Sequence, residues 1–205
     1  MRPSPTKIVC VGRNYADHAR ELGNEVPAAP LLFLKPPSAV IGDGEAIVLP
    51  EASSRVEFEA EIGVVIARRL RRATAEEAEG CIGGFVCLND VTARDLQKSD
   101  GQWTRAKGFD TFCPVSPAVG GLDWRNLTVV ARVNGQERQR GKSSDMVFSI
   151  PVLLAYISGV MTLEPGDLVA TGTPAGVGPL SPGDIVEVEI PGVGILRNPV
   201  TRLIP

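Results

Sequence analysis

The sequence predicts a mostly β chain of the α+β class, and three observations carry that prediction. Turn formers are plentiful, with 22 glycines and 17 prolines among 205 residues. Apolar runs are short, roughly the 4–8 residues that strands use, and they close on Gly, Pro or Asn. Stretches with helical period are few and brief.

The elements follow in order. Ile8-Val-Cys-Val11 reads as a buried strand closed by Gly12, and Asn14 to Leu22 as a short helix stopped by Gly23, a natural residue for the left-handed turn after a helix. Residues 24–30 form a Pro- and Ala-rich loop, and Leu31-Leu-Phe-Leu34 is a second apolar run, cut off by Lys35-Pro36-Pro37. After the turn Gly42-Asp-Gly44 come strands over 46–49 and 56–66. Thr74-Ala-Glu-Glu77 has capping-box spacing and starts a helix that ends near Gly80. A buried strand over 84–90 ends in polar residues, and a helix over 92–98 sets Arg94 and Gln97 on one side. Leu127–Val133, then Asn134-Gly135, then a polar strand, is a type I′ hairpin. A helix over 149–158 has Pro151 in its first turn and Gly159 after its end. Pro165-Gly-Asp167 and Pro182-Gly-Asp184 are two type II turns, each leading into a strand. No composition break divides residues 41–205, which read as one main domain, with residues 1–40 as an N-terminal strand and helix packed on it.

Composition excludes several classes. With 43% hydrophobic residues the chain can bury a core, and 22% charged residues argue against disorder. A net charge of −3 offers no basic footprint for nucleic acid. No apolar run is long enough for a membrane span, and the N-terminus lacks the apolar centre of a signal peptide. Cys10, Cys81, Cys87 and Cys113 have no CxxC spacing and lie in or beside apolar runs, as reduced thiols of a cytoplasmic protein do.

The chemistry concentrates in a few segments. Residues 56–66 alternate acid and apolar with period two, so Glu57, Glu59 and Glu61 share one face of a strand and Phe58, Ala60, Ile62 and Val64 the other. Two readings are open: a solvated sheet face, or a set of ligands for a divalent cation. Asp90, at the end of a second apolar strand, favours the second. Glu59, Glu61 and Asp90 form an all-oxygen set suited to Mg2+, Mn2+ or Ca2+. His18 is the only histidine, and Glu21 follows three residues later on the same helix, giving either a surface pair or a base dyad able to activate water. Lys107, between Trp103 and Phe109, is either solvated or placed to neutralise a carboxylate or oxyanion. The turn Thr171-Gly-Thr-Pro-Ala-Gly-Val-Gly178 follows a strand and can bind anions through backbone N–H groups, but it fits neither nucleotide-loop pattern.

Taken together, these segments resemble the fumarylacetoacetate hydrolase family, nearest its short, single-domain acylpyruvase branch. The stretches are Val9-Cys-Val-Gly-Arg-Asn-Tyr-Ala-Asp-His18, Leu32-Phe-Leu-Lys-Pro36, Glu59-Ala-Glu-Ile-Gly-Val-Val65, Asp90-Val-Thr-Ala-Arg-Asp-Leu-Gln97, Trp103-Thr-Arg-Ala-Lys-Gly-Phe109 and 171–178. Each is weak alone; six in this order, spanning about residues 7–200, are specific. The resemblance implies a mixed β-roll or β-sandwich catalytic domain, an N-terminal lid helix and a homodimer. Position by position it places metal ligands at Glu59, Glu61 and Asp90, and a His–Glu pair at His18 and Glu21. Substrate contacts fall at Arg94, Gln97, Lys107 and Thr173.

The activity so implied is a Mg2+- or Mn2+-dependent hydrolase that cleaves a C–C bond in acylpyruvate- or fumarylpyruvate-type diketo acids. Oxaloacetate decarboxylation or tautomerisation, and isomerisation or decarboxylation of a heptadienedioate-type acid in aromatic catabolism, are alternatives within the same family. A metabolite-binding scaffold held by a cation is the non-enzymatic one.

Overall fold

The computed structural model describes residues 3–202. The first strand, β1 (Ile8–Gly12), is the buried apolar run, and it turns at Arg13 towards α1 (Ala16–Glu21). This helix starts two residues later than the spacing predicts. The Asn14 side chain is bound to the carbonyls of Thr171 and Phe148 and to the Phe148 N–H, and Tyr15 forms a β-bridge with Met146, so tertiary contacts hold both residues extended. Gly23, at φ +68, ends the helix as expected.

Next come β2 (Leu31–Lys35), β3 (Val40–Ile41) and β4 (Ile47–Leu49). The acid–apolar run is not one strand but two, β5 (Val56–Phe58) and β6 (Ala60–Ile66), with Glu59 between them. α2 (Ala75–Glu79) opens on the expected capping box of Thr74 and Glu77. β7 (Ile82–Asn89) is followed by β8 (Thr92–Ala93), so the helix read from 92 begins instead at Arg94, as α3 (Arg94–Ser99). A further helix, α4 (Thr104–Lys107), is too short to show a period and was not legible; β9 (Cys113–Pro114) follows it. β10 (Thr128–Val133) and β11 (Gln136–Lys142) flank Asn134 and Gly135, whose φ values of +53 and +76 make the type I′ turn. α5 (Ile150–Val160) runs through Gly159 rather than stopping before it. β12 (Leu168–Ala170), β13 (Gly178–Pro179), β14 (Ile185–Ile190) and β15 (Gly194–Arg202) complete the chain. Gly166 and Gly183, at φ +87 and +93, supply the left-handed position of the two type II turns.

Two five-stranded sheets, ordered β2-β1-β12-β6-β7 and β11-β10-β14-β15-β4, form the body. Ile62, Val64, Phe85 and Cys87 of the first share one apolar cluster with Val129, Ala131, Val186 and Val188 of the second. The result is a mostly β sandwich without a closed barrel, with the N-terminal strands β1 and β2 built into one of its sheets. A small third sheet, β13-β5-β8, sits at one end. The chain crosses from this small sheet to the large one at Glu59. All four cysteines are buried and unpaired. No helix among the described residues is long and apolar enough to cross a membrane.

Candidate metal and acid–base site

The crossing at Glu59 builds the site. Its N–H donates to Asn89 Oδ1 at 3.0 Å and its carbonyl accepts the Asp90 N–H at 2.8 Å, which locks the strand break against the end of β7. Glu59, Glu61 and Asp90 are thereby brought together, with one candidate ligand oxygen from each within 4.8 Å of the others. All three are buried, at 5%, 1% and 0% exposure, so the acidic face is not solvated. Glu57, on the same face, is also buried, and it is held by Arg94 and Arg55.

Cations surround most of these acids. Lys107 Nζ stands 2.8 Å from Glu59 and 2.6 Å from Asp90, and Lys35 Nζ 2.6 Å from the other Asp90 oxygen. Arg94 donates to Glu57 at 2.7 Å, to Gln97 at 2.5 Å and also to Glu59. Burial alone would raise the Glu59 carboxyl, but Lys107 and Arg94, with His18, hold it well below the usual range. The Lys107 ammonium is disfavoured by burial, yet Asp90 and Glu59 keep it protonated, with its pKa above the ordinary lysine value.

Glu61 differs. Among the described residues it has no ion pair, and its hydrogen bond comes from the Gly172 N–H at 2.7 Å. Burial and the charges of Asp90 and Glu59 push its pKa well above the ordinary carboxylate value. A buried acid without a counter-ion, beside two further carboxylate oxygens, is what a hard divalent cation satisfies. The donor set fits such an ion.

The remaining site residues converge on one small cavity, with about 50 Å3 open to water, lined by His18, Glu59, Glu61, Asp90, Arg94, Gln97, Lys107 and Thr173. Glu21 does not line it but touches His18, with Oε2 3.3 Å from Nδ1. Glu21 also accepts the Gly176 N–H at 3.0 Å, which ties α1 to the glycine-rich turn. The Thr173 hydroxyl donates to the Ala60 carbonyl at 2.9 Å and accepts from Gln139 Nε2 at 2.7 Å, so its hydrogen is held inside the protein.

Three residues near the site escaped sequence reasoning as site residues. Lys35 closed an apolar run before two prolines, inside one of the six family-like stretches. Gln139 sits on the polar strand β11, yet it is 1% exposed. Arg13 followed a strand-closing glycine and lines the cavity.

Comparison with known proteins agrees with this geometry. The model for the fumarylacetoacetate (FAA) hydrolase C-terminal family matches residues 7–201. The chain belongs to the fumarylacetoacetate hydrolase family. The mitochondrial oxaloacetate tautomerase FAHD1 of Arabidopsis thaliana is 44% identical over 96% of this chain and 92% of the relative. The structure of a 5-carboxymethyl-2-hydroxymuconate delta-isomerase from Mycobacterium smegmatis superposes with a TM-score of 0.93 at 45% identity, over 99% of this chain and 81% of that one. A fumarylpyruvate hydrolase from Pseudomonas aeruginosa, solved with Mn2+ and pyruvate, has a TM-score of 0.91 at 32% identity, over 97% and 91% of the two chains. The chain is therefore an enzyme of this family, and the named relatives divide between hydrolysis, isomerisation and tautomerisation.

Proposed function

We propose that the protein is a divalent-metal-dependent hydrolase of acylpyruvate-type diketo acids. The observation that carries this reading is an acid triad facing, across one cavity, a buried histidine that is held from outside by Glu21. Glu59, Glu61 and Asp90 would hold Mg2+ or Mn2+. When bound, such an ion supplies Lewis acidity and a template for the carboxylate and 2-oxo oxygens of the substrate.

The chain's own residues do the rest. Glu21 orients the His18 ring through Nδ1, which leaves Nε2 for the cavity. Nε2 takes a proton from water as the water oxygen attacks the distal carbonyl carbon. Lys107 lends positive charge to the developing oxyanion, with the Gln97 amide beside it. Collapse breaks the C–C bond, releasing an acid and the enol of pyruvate, and His18 returns its proton. His18 of α1 forms one wall of this narrow cavity, so movement of the helix would admit the substrate and its return would exclude bulk water.

A second reading, oxaloacetate tautomerisation or decarboxylation, is favoured by the Arabidopsis relative. It shares the acid triad but needs no water attack. His18→Ala separates the two. With Mn2+ present, acetylpyruvate hydrolysis should fall by roughly 10^2–10^4-fold, the usual worth of a positioned acid–base group. Hydrolysis that persists unchanged removes His18 from the reaction.

A further inference from the structure

Resting on the reading just given, we propose that Arg13 sets substrate specificity: its guanidinium receives a carboxylate at the far end of the substrate. The preferred 2-oxo acids then carry a second acid group.

The argument begins with the other cations of the site. Lys107 is engaged by Glu59 and Asp90, and Arg94 by Glu57, Glu59 and Gln97. Each holds the acidic floor together. Arg13 lines the same cavity, is only partly exposed, and among the described residues makes no hydrogen bond or ion pair. A half-buried arginine whose five N–H donors have no protein acceptor among the described residues is able to take an anion.

The backbone points the same way. Arg13 is held at φ +59, in the left-handed region that a residue with a side chain enters only at a cost. Its neighbours impose this. Gly12 closes the β1–β2 ladder opposite Leu31, and a Cβ there would lie 3.2 Å from the Trp103 ring. Asn14 is fixed by three hydrogen bonds to Thr171 and Phe148. Strain of this kind, kept by over-determined surroundings and sited on a cavity wall, commonly serves a ligand.

Charge placement completes the case. One carboxylate of a substrate would be taken up at the cation that Glu59, Glu61 and Asp90 would hold. A second carboxylate would meet nothing favourable among Glu59, Glu61 and Asp90, but a planar fork at Arg13 can bind it through two N–H donors. A neutral acyl end gains nothing from Arg13.

The test uses Mn2+-loaded protein and two acylpyruvates differing at the distal end, fumarylpyruvate, which has a second carboxylate, and acetylpyruvate, which does not. Arg13→Asn suits the left-handed backbone while removing the cation, and Arg13→Lys retains charge without the fork. For Arg13→Asn the KM for fumarylpyruvate should rise at least tenfold more than the KM for acetylpyruvate, so that the preference for the diacid is lost. Arg13→Lys should recover part of the loss, and Arg71→Gln, which removes the same charge elsewhere, should leave the preference intact. Equal effects on both substrates, or none, would overturn the role given to Arg13. If the parent protein hydrolyses neither, the hydrolase reading fails. Arg13 is then judged by competitive binding of oxaloacetate against 2-oxobutyrate, which differ in the same carboxylate. Loss of the parent's preference for oxaloacetate in Arg13→Asn supports the role; a preference unchanged, or absent in the parent, overturns it.

Discussion

The Ala60 N–H donates to Gln139 Oε1 at 2.9 Å, so a side chain on the polar strand β11 fixes the residue between Glu59 and Glu61. The same amide donates through Nε2 to the Thr173 hydroxyl and the Pro174 carbonyl, both at 2.7 Å. Strand, turn and acid triad are thus clamped by one buried side chain. Gln139→Leu leaves the Ala60 N–H and the Pro174 carbonyl buried without partners, and should cost about 2–6 kcal/mol of stability at about 1–3 kcal/mol per orphaned group. Mn2+ affinity should fall as Glu59 and Glu61 lose register. Denaturant unfolding and Mn2+ titration check both, and an unchanged titration would dissociate Gln139 from the ligand set.

Glu59 and Glu61 should respond oppositely in the metal-free protein. Glu59→Gln strips buried ion pairs from Lys107 and Arg94, and breaking such pairs one-sidedly costs about 3–5 kcal/mol. Glu61→Gln removes a charge repelled by Asp90 and Glu59 and, among the described residues, paired with no cation, so the melting temperature should hold or rise. Both variants should bind Mn2+ more weakly. Destabilisation by Glu61→Gln equal to that of Glu59→Gln would mean that Glu61 has a stabilising partner.

Gly176 cannot accept a side chain. Its φ is +102, and an added Cβ would come 2.1 Å from the Arg138 carbonyl oxygen. Gly176→Ala must therefore shift the turn and pull its N–H from Glu21. The expected result is a folded protein with kcat on acetylpyruvate reduced about tenfold, about 1.4 kcal/mol of lost transition-state stabilisation. Full activity would show that His18 needs no such anchoring.

Asp95 gives a pH signature. Burial works to raise its carboxyl, but the Ser53 hydroxyl, the Ser54 N–H and hydroxyl and the Leu96 N–H together lower its pKa to about 2. The folded pKa lies below the unfolded value of about 3.9, so the stabilisation is complete above roughly pH 4 and is lost as pH falls through about 2. Asp95→Asn should be less stable than the parent at neutral pH, and the two should converge towards pH 2. Unfolding midpoints measured from pH 2 to 7 test this, and parallel curves would remove the carboxylate from the account.

Local pattern made much of this molecule legible. The capping box at Thr74, the Asn134-Gly135 turn and the two Pro-Gly turns appear where spacing placed them, because each depends on residues within four positions of one another. Alternation likewise put Glu57, Glu59 and Glu61 together. It missed the strand break at Glu59, since a crossing between sheets is fixed by hydrogen bonds that the Glu59 N–H donates to Asn89 and its carbonyl accepts from Asp90, some 30 residues away. Gly159 ended no helix, because Ile157 and Ser158 are buried and packing carried α5 two residues further, to Val160.

By itself, then, the sequence determined the acids, the His18–Glu21 pair and the short elements that carry or flank them, all written in short-range periodicity and in a family pattern. Only the tertiary structure decided which charges are spent and which remain free. Lys35 meets Asp90 across 55 residues and Gln139 meets Ala60 across 79, while Arg13, on the cavity wall, has no partner among the described residues. Periodicity reports which face a residue occupies; it carries no information about what a distant segment brings to that face.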